Sequence, residues 1–143
     1  QEQGRRMSTD LSLELRQATL AHLRADASLT SLVDPARIFG EYALVTDYSL
    51  PWISLGDPLA AGFDASGWSG SENSLNIHAY AQGPGRDAVQ KIARRIVAAM
   101  ADFEPQNIDG GWAEWRDTQV LPDPTEELLH AVVRFEMTGV VAV

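Results

Sequence analysis

The spacing of hydrophobic positions along the chain predicts two helices. From Asp87 to Phe103 the apolar side chains recur every three or four residues and form one stripe, which is typical of an amphipathic helix packed on a core. A second helix is predicted from Thr9 to Ala25, where Thr9 or Asp10 can cap the first turn. Its apolar side carries Leu11, Leu15, Ala18 and His22.

Strict alternation of apolar and polar residues predicts strands elsewhere. Between Leu75 and Gln82 every second side chain is apolar, as in a strand with one buried face. Related patterns predict four further strands, at 37–41, 51–56, 112–120 and 130–143. This order of segments indicates the α+β class: an antiparallel β-sheet packed by two amphipathic helices, with one long inter-strand loop.

The same segments predict one domain over residues 9–143, preceded by a flexible leader at 1–8 in which Met7 resembles a natural start. The long loop is predicted between the strands at 51–56 and 75–82, where Gly, Ser, Ala and Asp dominate. It contains Phe63 and Trp68, which either dock a partner or fold back onto their own domain.

Charge and composition exclude several classes of function. Eleven cationic residues against twenty acidic ones give a net charge of −9, which opposes general binding to a phosphate backbone. The chain has no cysteine, so disulfides, thiolate zinc sites and cysteine nucleophiles are excluded. No apolar run approaches the roughly 20 residues that span a bilayer, so no membrane partner is expected.

No motif in the chain predicts catalysis, and neither a cofactor site nor a metal site is expected. The segment GPGRDAV lacks the residues of a phosphate-binding loop, and Asp87 occupies the helix start where an anion would sit. Gly67-Trp68-Ser69-Gly70 does not match a nucleophile elbow. His22 is predicted to be a packing histidine, and His78 and His130 lie on the polar sides of strands, without metal-ligand spacing. We therefore expect a protein that is not an enzyme.

Four of the eleven cations cluster at the helix predicted from Asp87 to Phe103: Arg86 directly before it, and Lys91, Arg94 and Arg95 within it. All four lie off the apolar stripe and are predicted to face solvent, and Asp87 is placed to pair with Lys91 four residues later. In so acidic a chain the natural partner of this cluster is carboxylate, on the same subunit or on a neighbour. We interpret the four residues as candidate inter-subunit contacts.

Several motifs together resemble the bacteriophage tail terminator, or tail-completion, proteins, including those of phage-derived particles such as gene transfer agents. They are the opening helix followed by DASLTSLVDPARIFGEY, the strand LPWISLGD, the strand–turn–helix LNIHAYAQGPGRDAVQKIARRIVAAM and the last strand HAVVRFEMTGVV. Within them, Ala36-Arg37-Ile38-Phe39 and Pro51-Trp52-Ile53-Ser54-Leu55 match short patterns common in the family. The resemblance covers nearly the whole chain from Leu11.

The resemblance implies a structural virion protein located at the head–tail junction and assembled in the bacterial host cytoplasm. Such proteins form a ring, commonly of six copies, that caps the head-proximal end of the tail tube. The ring ends tube polymerisation and joins the tail to the head-side connector, while DNA passes through the lumen without specific binding. Two alternatives stay open: a stopper or head-completion protein of the same junction, and a small cytoplasmic binding module.

Overall fold

A computed structural model describes residues 9–46, 48–83, 85–123 and 128–143. The predicted leader at 1–8 and the turn residue Pro84 lie outside the described residues. The helices are α1 Ser12–Ala25, α2 Ala27–Thr30 and α3 Asp87–Met100, and the strands are β1 Ile38–Phe39, β2 Trp52–Leu55, β3 Leu59–Ala65, β4 Trp68–Gln82, β5 Gly110–Asp123 and β6 Leu128–Ala142.

The strands form one sheet of six in the order β1-β2-β4-β6-β5, and β3 also pairs with β4. Because β6 occupies one edge of β4 along its whole length, β2 and β3 share the other edge, one after the other. All pairs are antiparallel except β1 with β2. The α+β class is therefore confirmed, and the sheet is mixed rather than purely antiparallel.

The core lies between the sheet and the layer formed by α1, α2 and α3. Ile77 of β4 and Phe135 of β6 are buried in one cluster with Leu23 of α1, Leu29 of α2 and Ile96 of α3. His22 Nε2 lies 2.6 Å from the carbonyl oxygen of Ala99, which confirms the predicted packing histidine. None of these three helices covers the opposite side of the sheet, where Tyr42 of the short 3-10 helix Tyr42–Leu44 packs against Trp52. We call this side the open face.

The predicted long loop is wrong, because these residues form a β-hairpin. β3 and β4 pair in register from Leu59 with Ser74 to Ala65 with Trp68, and Gly67 has the positive φ of 80° that the tight turn requires. Small and polar residues hid this strand from the apolar pattern. Ser71 and Asn73 occupy buried positions and are stabilised by hydrogen bonds instead of apolar contacts.

The hydrogen bonds of this buried polar pair connect the hairpin to its neighbours. The Asn73 Nδ2 group donates to the carbonyl oxygen of Met137 at 3.3 Å, and the Leu11 amide donates to Ser71 Oγ at 3.0 Å. Buried polar groups are tolerated when they are paired in this way. The start of α1 is thereby fixed against β4.

Several predicted boundaries also shift. The helix predicted from Thr9 begins at Ser12, whose amide donates to Asp10 Oδ1 at 2.8 Å, so Asp10 caps the turn before the helix. The strand predicted at 112–120 extends from Gly110 to Asp123, and residues 124–127 lie outside the described residues. A bulge between Trp115 and Asp117 lets β5 continue along β6.

Gly70 supplies the first testable prediction, because a Cβ there would lie 1.9 Å from the carbonyl oxygen of Gly139. We expect Gly70→Ala to lower the free energy of unfolding by about 1–3 kcal/mol through forced separation of β4 and β6. Urea unfolding measures the loss. Gly67→Asn is the matched control, since asparagine tolerates positive φ and nothing lies within 4 Å of that position. Equal losses in the two variants would contradict the close-approach argument.

Candidate functional site

A groove runs between α3 and the edge strand β5 on the helical side of the sheet. Its volume is about 710 Å³. Lys91 and Arg94 form the α3 wall, and Trp115, Thr118 and Val120 form the β5 wall. Trp115 is 52% exposed, and its indole Nε1 donates to Thr118 Oγ1 at 3.0 Å. The groove therefore combines an apolar floor with two cationic side chains and the carboxylate of Asp87 at the border of the sheet.

The four predicted cations do not share one environment. Arg86, Lys91 and Arg94 are exposed as predicted, whereas Arg95 is half-buried, so its predicted solvent-facing position is wrong. The Arg95 Nε atom is buried and has no hydrogen-bond partner among the described residues. Helix rotation explains the difference, since Arg95 follows Ile92 by three residues and precedes Ala99 by four, both of which are buried.

The predicted pair of Asp87 with Lys91 is also wrong: in the described part of the chain no carboxylate lies within 4 Å of the Lys91 ammonium. The ion pairs that do form there connect other residues, such as Arg16 with Glu41 and Arg116 with Glu136. Lys91 and Arg94 are thus available to carboxylates of another molecule. Their role as inter-subunit contacts stays a prediction.

Phe63 and Trp68 lie on the hairpin instead of on a loop. The register pairs Phe63 with Gly70 and places Trp68 at the start of β4, both on the open face. Trp68 is 41% exposed, and Phe63 is partly exposed. Both rings therefore keep surface that a partner could cover, and their docking role stays a prediction.

An aromatic stack crosses the open face and was not predicted. Trp52 of β2 stacks on Tyr80 of β4 at 4.0 Å between ring centroids, and Tyr80 stacks on His130 of β6 at 4.3 Å. His130 Nε2 lies 2.7 Å from His78 Nδ1, so one imidazole donates a hydrogen bond to the other. The two histidines are 52 residues apart in sequence, and only the register of β4 with β6 brings them together.

This histidine pair favours the uncharged form. Burial, together with the smaller effect of the neighbouring His78, lowers the pKa of His130 to about 4. Burial also lowers the pKa of His78, against the opposing attraction of Asp57. Among the described residues no three His, Asp or Glu side chains are placed to hold a metal ion. The pair is therefore a neutral packing element of the open face.

The comparison with protein families decides what kind of protein this is. The family model described as tail completion protein gp17 matches residues 17–138, which is most of the chain. This chain belongs to the tail completion protein gp17 family. Membership supports a structural role in a phage tail and points to a component of the particle rather than an enzyme. A comparison with curated proteins found no match.

The fold has a counterpart among solved structures. A chain in a structure titled "Virion of native gene transfer agent (GTA) particle" is similar over 88% of this chain and 94% of its own length, with a TM-score of 0.71 and 18% sequence identity. At that identity the likeness concerns the fold. In the described part of this tail completion protein, no helix is long and apolar enough to cross a membrane.

The histidine pair generates a prediction about acid stability. An unfolded histidine has a pKa near 6.5, whereas His130 in the fold has a pKa of about 4, so the unfolded chain binds more protons between these values. Stability is therefore lost as pH falls from about 6.5 towards 4. We expect His130→Phe, which keeps a ring on Tyr80, to reduce the slope of the unfolding free energy against pH by the equivalent of roughly one bound proton. Urea unfolding across this pH range measures the slope.

Tyr80→Phe is the control for this experiment, because it preserves the stack and changes no group that titrates there. Its slope should match that of the unaltered chain. The groups facing His130 are His78 and Tyr80, with Asp57 acting on His78. An unchanged slope in His130→Phe would show that the imidazole is not excluded from protonation.

Proposed function

We propose that this tail completion protein forms a ring, of six copies, that caps the head-proximal end of the tail tube. The ring stops addition of further tube subunits and joins the tail to the head-side connector. It assembles in the cytoplasm of the bacterial host, and DNA passes through its lumen without specific binding. The protein acts through its surfaces, with no catalytic group.

One observation carries this proposal: in a chain of the tail completion family, the sheet ends in unpaired strands on opposite borders. Within the described residues, β5 pairs only with β6, and β3 pairs only with β4. A ring needs a different patch of each copy to contact the next copy, and two unlike borders provide such patches.

Charge supports the same arrangement. The groove cations Lys91 and Arg94 flank the β5 border, while Asp34 and Asp57 are exposed towards the β1 and β3 border. Unlike charges on opposite borders attract when copies are placed head to tail. The net charge of −9 per copy disfavours adhesion of DNA passing through the ring. We assign Arg86, Lys91, Arg94 and Arg95 to the subunit contact.

The hairpin supplies a second contact in this proposal. Phe63 and Trp68 present aromatic surface on the open face near the hairpin turn, beyond the part of the sheet that the helices cover. Aromatic residues are enriched where proteins meet. We assign this region to the tube protein or to the neighbouring copy.

Mass and tail length test the proposed function. Six copies of the 15.6 kDa chain would have a mass of 6 × 15.6 = 93.6 kDa. Sedimentation of the protein, first by itself and then mixed with tube protein, measures whether a ring of this mass forms. Without this chain, tail tubes should be overlong and should carry no heads. A stopper would instead leave tails of normal length and heads that lose DNA. A protein that stays a monomer with tube protein, and whose loss leaves tails normal, is the cytoplasmic binding module.

The groove cations give a second prediction. Lys91→Glu with Arg94→Glu should raise the protein concentration needed for ring assembly by at least about tenfold, because attraction across the contact becomes repulsion. The charge-preserving swap Lys91→Arg with Arg94→Lys is the matched control and should assemble normally. Both side chains are exposed, so thermal unfolding should be unaffected. Equal assembly of the two variants at low salt would remove these residues from the contact.

A further inference from the structure

β3 is an edge strand with solvent on both of its faces. Six of its seven residues are exposed, and Leu59 is 72% exposed. Its only partner among the described residues is β4. An exposed edge presents unpaired amide and carbonyl groups, which is a template for pairing with another chain.

The other borders of the sheet differ from one another. β5 is a strand of 14 residues with an unpaired outer edge in the described part of the chain, and its Trp112 is 48% exposed. β1 has only two residues, and the Ile38 carbonyl oxygen already accepts hydrogen bonds from Arg24 Nε and Arg24 Nη2 at 3.0 and 2.6 Å. β1 is thus partly capped, whereas β3 and β5 are open.

Strand directions make these two open edges compatible. β5 is antiparallel to β6, and β6 is antiparallel to β4, so β5 runs in the direction of β4. β3 runs opposite to β4 and therefore opposite to β5. Rotation about a ring axis preserves the direction of strands that run along that axis, so in such a ring β5 of one copy would meet β3 of the next as an antiparallel pair.

The rows of the sheet also bring matching side chains to the same level. Ala61 pairs with Glu72, Glu72 with Thr138, and Thr138 with Trp112, so Ala61 and Trp112 end one row on the open face. Leu59 and Phe63 lie on the same face, two residues on either side of Ala61. On this face the small side chain of Ala61 therefore lies between the larger side chains of Leu59 and Phe63. We call the gap formed by these three residues the β3 notch.

We propose that β3 of one copy pairs antiparallel with β5 of the next, with Trp112 inserted in the β3 notch. The indole would bury its exposed surface against Leu59 and Phe63, and the short Ala61 side chain would leave room for it. This inference rests on the proposed ring and identifies its contact. The rival is a two-fold dimer through two β5 strands, which would bring the cationic grooves of two copies together and is disfavoured by repulsion.

Disulfide cross-linking tests the register. Ala60 and Ala113 end the next row, through Asn73 and Met137, and the chain contains no native cysteine. Oxidation of rings carrying Ala60→Cys with Ala113→Cys should link neighbours into a closed series of covalent oligomers. Each single substitution is a control and should give no linked species. Linked dimers from Ala113→Cys alone would favour the β5–β5 rival and overturn the proposal.

A size exchange tests the notch. Trp112→Ala and Ala61→Leu should each raise the concentration needed for ring assembly by at least about tenfold, the first by leaving the notch empty and the second by filling it. Combining the two should recover most of the assembly. Both positions are exposed in the single chain, so thermal unfolding checks that each variant folds.

The outcomes separate this inference from the proposed function. Rings of normal mass that neither cross-link nor respond to the size exchange would overturn the β3–β5 contact and leave the ring standing. Failure of the unaltered chain to form a ring with tube protein would overturn both. Recovery in the double variant, together with cross-linking at Ala60 and Ala113, would support both.

Discussion

The pairing of β4 with β6 is the constraint on which the rest of the structure depends. It runs through fifteen positions, from Trp68 with Ala142 to Gln82 with Leu128. A slip of one residue would move every side chain of β4 to the opposite face, and Ile77 would leave the core. The glycine contact between Gly70 and Gly139 and the histidine pair on the open face both exist only in this register. The pairing also sets which residues of β3 and β5, on the two borders, lie in the same row of the sheet.

Much of this arrangement could be predicted from the sequence, because the residues that the fold buries are apolar and recur with the period of a strand or a helix. Ile77, Phe135 and Ile96 sit at positions whose period matched a strand or a helix, and the structure buries each of them. Apolar side chains carry that signal, since removing them from water is the dominant favourable term. The class of the fold and α3 followed from it. The family resemblance followed from segment order and short motifs, and charge and periodicity alone gave no function.

The hairpin was missed because its buried positions are not apolar. Ser71 and Asn73 point towards the core and are satisfied by hydrogen bonds, so composition alone indicated a loop. Gly70 is required by the proximity of a neighbouring strand, which local pattern cannot reveal. The contact of His78 with His130 depends on register between distant segments, so no spacing rule identifies it. What the sequence hid were polar contacts between distant segments, while local apolar periodicity was visible.

Edges and charge set opposite tendencies in this protein. Unpaired edge strands favour association with any compatible strand, and a free copy carrying two of them risks aggregation. The net charge of −9 opposes that association between free copies, and the repulsion weakens with salt. Insertion of Trp112 in the β3 notch also disfavours misaligned pairing through shape, because a shifted strand would place the indole opposite Leu59 or Phe63. Repulsion and fit together favour assembly where a tube end holds copies side by side, which is where a tail completion protein acts in the proposed function.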